Sequence, residues 1–126
     1  GGMKIEILHH PGHTKGASSF LFTVKDNKGP YRVLIANIPS ILPETKFPSM
    51  PTYQNVGEDY TYTLDTMPKI QFDIWFAAHA GQFHLHEKHQ PGALYYPMAF
   101  ADRPGYDAEI REMQKGFAER LKDMNK

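Results

Sequence analysis

The chain has 126 residues, 14 basic and 14 acidic side chains for a formal net charge of zero, and no cysteine. That length supports one domain with a real core, and the missing cysteines exclude disulfides and thiolate zinc sites. The balanced charge, with no long basic run, gives no footing for nucleic acid, and the apolar stretches are too short to span a bilayer.

Gly1-Gly2 ahead of Met3 reads as a cloning scar and is set aside. From Lys4 to Leu8, Ile5 and Ile7 alternate with charged residues, which predicts a strand running into the turn His10-Pro11-Gly12-His13. Residues 18–24 and 31–36 are rich in Phe and β-branched residues. With the turn cluster Asp26-Asn27-Lys28-Gly29-Pro30 between them, they predict a hairpin. Pro39, Pro43, Pro48 and Pro51 exclude a regular helix from residues 37–52. A loop of that length within a compact domain is often functional. Tyr53, Val56, Tyr60, Leu64 and Met67 recur at steps of three and four and predict an amphipathic helix ended by Pro68. Asp73 to Ala78 is a short apolar run that predicts a buried strand. Tyr106, Ile110, Met113, Phe117 and Leu121 predict a second helix over residues 104–123.

The expected architecture is therefore mixed α/β, with one sheet carrying both helices on one face. No second layer remains to cover the other apolar face. The aromatic residues Tyr53, Tyr60, Tyr62, Phe72, Trp75 and Phe76 read as core or helix-face packing.

Two histidines stand in settings that suit metal ligation. His13 follows the first strand in a turn built by Pro11 and Gly12, and His79 follows the buried strand on a loop containing Gly81. Strand ends converging at one sheet rim supply the rigidity that a metal ligand needs. A catalytic zinc takes three protein ligands and a water, so two histidines do not complete a site. His84-Leu85-His86-Glu87-Lys88-His89 imitates a metal motif. However, Lys88 stands where a carboxylate would be needed, and its ammonium repels a cation. On a helix His84 and His86 would lie about 200° apart. This segment reads as an exposed histidine-rich helix. Asp65 and Asp73 lie away from the rim and are not proposed as ligands.

Gly12-His13-Thr14-Lys15-Gly16-Ala17, the apolar strand ending in His79-Ala80-Gly81, the Glu87-Lys88 pair and the tail Asp102-Arg103-Pro104-Gly105-Tyr106 together resemble the C-terminal half of metallo-β-lactamases, most closely the third subclass. The resemblance runs from about Lys4 to Leu121. It implies that residues 3–126 form the C-terminal half of an αββα sandwich, and that the missing N-terminal half of the same protein is the chain's partner. It also implies that His13 is a ligand of a first zinc, His79 a ligand of a second, and Ser40 a contact to the substrate carboxylate. In the intact parent, zinc-bound hydroxide would hydrolyse a β-lactam amide. The family's His-x-His-x-Asp-His motif is absent here, so the chain alone is expected to be inactive, to hold no zinc stably and to self-associate. A periplasmic or secreted parent is expected from the same resemblance.

Two positions depart from the subclass. Asn37 stands where it usually has aspartate, and Ile38 where it usually has a first serine. They leave open a superfamily hydrolase acting on another ester, lactone or thioester. The remaining alternatives are a non-catalytic half-domain for binding or assembly, and an unrelated α/β domain with a metal-sequestering helix.

Overall fold

The computed structural model describes residues 2–124. Gly1, and the last two residues of the expected half-domain, lie outside the described residues. Four strands, β1 (Ile5–His9), β2 (Ser18–Asp26), β3 (Gly29–Ala36) and β4 (Ile74–Ala77), form one sheet in the order β1-β2-β3-β4. The β1–β2 and β2–β3 pairs are antiparallel, and β3–β4 is parallel. Three helices accompany the sheet: α1 (Val56–Thr66), the four-residue α2 (Leu85–Lys88) and the long α3 (Arg103–Met124).

The hairpin turn is tighter than its sequence suggests. β2 continues to Asp26 and β3 begins at Gly29, leaving two residues between them. Pro30 lies inside β3, opposite Lys25. Gly29 carries the positive φ of 129° that this corner demands. α1 starts later than its periodicity predicts. Tyr53 falls in a turn bridged to Met50, and its hydroxyl donates to Asp59 at 2.6 Å.

Strand periodicity sends alternate residues to opposite faces. Leu21, Leu34, Ala36 and Trp75 face α1 and α3, where they pack with Val56, Tyr60, Leu64, Tyr106, Ile110 and Phe117 into the core. The β3–β4 register sets Leu34 beside Trp75. Trp75 meets Tyr106 edge-on at 5.3 Å between ring centroids, and its indole N–H donates to the Asp102 carbonyl. The proline-rich segment 37–52 contains no helix. Phe47 within it is fully buried between Tyr60 and Phe117, at 5.2 and 5.0 Å.

The opposite face carries Ile5, Ile7, Phe20, Phe22, Val33, Ile35, Ile74 and Phe76, as the paired registers require. This face is not bare throughout, which corrects the expectation that the chain leaves it without any cover. Phe100 packs on Phe76 at 5.0 Å, and Tyr95 reaches across to donate to Asp26. Val33 and Ile74 are consequently buried. Towards β1 the cover ends, and Ile5 and Ile7 are 53% and 69% exposed.

Candidate metal centre

His10 to Gly16 leave the sheet at one rim. β1 ends at His9 opposite Ser18, the first residue of β2, while the parallel pair β3 and β4 ends in register at Ala36 and Ala77. The turn bearing His13, the loop bearing Ser40 and the loop bearing His79 therefore depart from the same edge. This meeting follows from the topology: two successive antiparallel pairings followed by a parallel crossover return these three chain segments to one end.

The His13 turn is held on several sides. Gly12 has φ of 142°, and a Cβ there would sit 3.1 Å from the Tyr60 ring, so the backbone lies directly on that ring. Thr63 donates to the Pro11 carbonyl at 2.6 Å, and the His9 imidazole lies 2.7 Å from the Lys15 carbonyl. Behind the turn, His10 is buried with Nδ1 2.6 Å from Ser19 Oγ, which also accepts the Asn37 N–H. Burial, and secondarily the charge His9 can carry, lowers the His10 pKa from 6.5 to about 4. That imidazole is neutral and structural.

His13 itself is half-buried, and its Nδ1 lies 2.8 Å from the Ser40 carbonyl. A carbonyl only accepts, so Nδ1 carries the proton, and in the neutral ring Nε2 carries the lone pair. Metal-bound histidines use this arrangement, with the second ring nitrogen donating to a carbonyl or carboxylate. His13 thus fits the role of a zinc ligand. The Ser40 hydroxyl lies 3.3 Å from the same Nδ1. The structure brings Ser40 and His13 together, although they are separated by 27 residues.

His79 is exposed at the head of the 3₁₀ turn Ala80–Gln82, where its N–H donates to Gln82 Oε1 at 3.2 Å. Among the described residues, no three His, Asp or Glu side chains gather into a metal-holding group. His84, His86 and His89 are exposed around α2. His84 stands outside the helix with φ of 55°. Lys88 turns inward, 3.0 Å from Asp102 Oδ2 and over the Trp75 ring. Ile38 is buried in the core, which accounts for an apolar side chain at that position. Asp73 accepts the Arg32 N–H at 2.7 Å and thereby ties the start of β4 to β3. Tyr60 reads from sequence as helix-face packing, but its hydroxyl donates to the Ser40 carbonyl at 2.8 Å. Helical periodicity accounts for its ring and carries no signal for its hydroxyl.

No protein-family model matches the sequence, and no curated protein does either. Solved structures match nearly the whole chain. A β-lactamase from Chitinophaga pinensis is 58% identical with a TM-score of 0.95, over 97% of this chain and 46% of its own. A class B3 di-zinc metallo-β-lactamase from an Alaskan soil metagenome is 50% identical with a TM-score of 0.92, over 96% and 46%. A metallo-β-lactamase from Elizabethkingia meningoseptica is 46% identical with a TM-score of 0.93, over 98% and 46%. This chain spans about half the length of each.

Proposed function

We propose that this chain, which has the fold of one half of a class B3 metallo-β-lactamase, supplies part of a zinc site and one sheet of a two-sheet hydrolase. The observation that carries the proposal is His13: its Nδ1 proton is committed to the Ser40 carbonyl, 2.8 Å away, on the rim from which His79 also departs. The two histidines would serve different zinc ions, and the remaining ligands would come from the complementary half. Zinc held there would supply Lewis acidity towards water and the scissile carbonyl of a β-lactam amide.

The residues of this chain then have distinct tasks. Pro11, Gly12 and Thr63 hold the turn from which His13 projects. Ser40 fixes the orientation of His13 through its carbonyl, and its hydroxyl is a donor for a substrate carboxylate. The apolar face of Ile5, Ile7, Phe20 and Ile35 is the surface on which the complementary half packs. Its exposure, from 37% to 69%, supports a further layer in the complete protein. The chain alone should hydrolyse no β-lactam even with added zinc, because one histidine per ion does not hold zinc against water.

Combining the chain with the separately produced complementary half of the Chitinophaga pinensis relative tests the proposal. The expected result is zinc uptake and nitrocefin hydrolysis by the mixture, neither by the chain alone, and severe loss of both with His13→Ala or His79→Ala. Full zinc content in both variants of an active mixture would overturn the ligand assignments. Nitrocefin turnover by the pure chain, abolished by His13→Ala, would overturn the requirement for a second half.

A further inference from the structure

Tyr60 is fully buried in α1, yet it touches both parts of the candidate ligand's support. The face of its ring underlies Gly12, in the turn that carries His13. Its hydroxyl donates to the Ser40 carbonyl at 2.8 Å, the same oxygen that receives His13 Nδ1 at 2.8 Å. A carbonyl oxygen has two lone pairs, so it accepts both donors. The ring is itself fixed from two sides, stacked on Phe117 at 5.6 Å and edge-on to Phe47 at 5.2 Å.

Ser40 needs such an anchor. It lies in a stretch without regular structure, where its own N–H makes a local bond back to the Ile38 carbonyl at 2.8 Å. That bond leaves the direction of the Ser40 carbonyl to be set by its acceptor contacts. Tyr60 supplies a donor from a rigid helix, and a buried hydroxyl that lost this partner would carry an uncompensated desolvation cost.

We infer that Tyr60 is a positioning residue for His13: its hydroxyl holds the Ser40 carbonyl where that oxygen keeps the imidazole in the Nδ1–H tautomer. A neutral imidazole has two tautomers, and the bond made by one nitrogen decides which nitrogen is left bare. Without the tyrosine hydroxyl the carbonyl is free to turn, and the imidazole then exchanges between its two forms. The meaning of this device for catalysis rests on the proposed role of His13, but the device itself can be read in the chain without metal.

Nitrogen-15 spectra of the His13 ring, taken on the metal-free chain about two pH units above the ordinary histidine value, provide the test. The parent chain should show one protonated and one bare ring nitrogen, widely separated. A proton cross-peak should join the Tyr60 hydroxyl to the His13 ring N–H. Tyr60→Phe keeps the ring and should collapse that separation by half or more. Phe117→Leu loosens the stacking, keeps the hydroxyl and should preserve the separation. Full separation in Tyr60→Phe, or equal collapse in both variants, would overturn the inference. If Tyr60→Phe does not fold, absence of the hydroxyl cross-peak in the parent chain overturns it instead. In the reconstituted enzyme, Tyr60→Phe should weaken zinc binding tenfold or more. If tautomer control is seen while His13→Ala leaves zinc content unchanged, the ligand assignment fails and the positioning role stands.

Discussion

His10 Nδ1 lies 2.6 Å from Ser19 Oγ, and the two form a buried polar pair behind the turn that carries His13. Ser19 Oγ also accepts the Asn37 N–H at 2.9 Å. Burial disfavours the charged imidazole. The unfolded chain takes up a proton at this histidine near pH 6.5, whereas the folded chain resists until about pH 4. Stability should fall as the pH drops through that window. At pH 5 the loss from this group alone is about 2 kcal/mol relative to pH 8. Urea unfolding at both values, compared between the parent chain and His10→Gln, checks it; an equal decline in both would remove His10 as the cause.

Lys88 and Asp102 form a second internal tie, with Nζ 3.0 Å from Oδ2 and the amine 4.5 Å from the Trp75 ring centroid. Asp102 also accepts the Gly105 N–H at 3.1 Å and so caps α3. Asp102→Ala strips the cap and leaves a largely buried ammonium unpaired, at a cost of about 3 kcal/mol. Lys88→Met keeps an apolar stem over the rings and should cost only about 1 kcal/mol. Denaturant midpoints in the reverse order would refute this assignment.

Gly12→Ala should be damaging where Gly16→Ala is not. The added methyl at Gly12 meets the Tyr60 ring at 3.1 Å in a backbone conformation that side chains rarely adopt, whereas the one at Gly16 enters open space. Strain of this kind costs about 2 kcal/mol. Thermal unfolding should rank Gly12→Ala well below Gly16→Ala, and matching melting temperatures would contradict the close approach to Tyr60.

Ser40→Ala, in the reconstituted enzyme, should raise KM more than it lowers kcat. On the proposed role, removing the hydroxyl takes away a substrate contact shared by ground and transition states, while the carbonyl that receives His13 Nδ1 remains. An unchanged KM would confine Ser40 to its support of His13.

The isolated chain should self-associate through the open part of its sheet. Ile7 is 69% exposed, Ile5 53%, and Phe20 and Ile35 37% and 38%. Burying about 500 Å² of apolar surface per partner, at roughly 25 cal/mol per Å², gives a large gross driving force, much of which the cost of association offsets. Sedimentation at micromolar concentration should show dimers that Ile7→Lys with Phe20→Lys disperses. A monomeric parent chain would mean that Tyr95 and Phe100 already cover enough of this face.

Local pattern determined much of this protein. Alternation at Ile5 and Ile7, the Phe-rich pair of strands and the three–four spacing of Tyr106, Ile110, Met113 and Phe117 are periodicities that each segment carries by itself. With the apolar run from Asp73 to Ala78 and the spacing of Val56, Tyr60 and Leu64, they account for all four strands and both long helices, with ends shifted by a few residues. The turn of His13 was legible for the same reason, since Pro11 and Gly12 specify a local bend. What the sequence left open depends on residues far apart in the chain. Tyr53 lies ahead of the helix because its backbone pairs with Met50, and its hydroxyl donates to Asp59. Phe100 packs over β4 because Phe76 offers an apolar ring there, and Tyr95 reaches Asp26 at the end of β2. Ser40 and Tyr60 became the support of His13 only when the β3–β4 crossover returned them to the rim. Periodicity records which face of an element is apolar. Which distant side chain donates to which carbonyl is decided when the core closes, because a buried donor must then find whatever acceptor the tertiary packing leaves within reach.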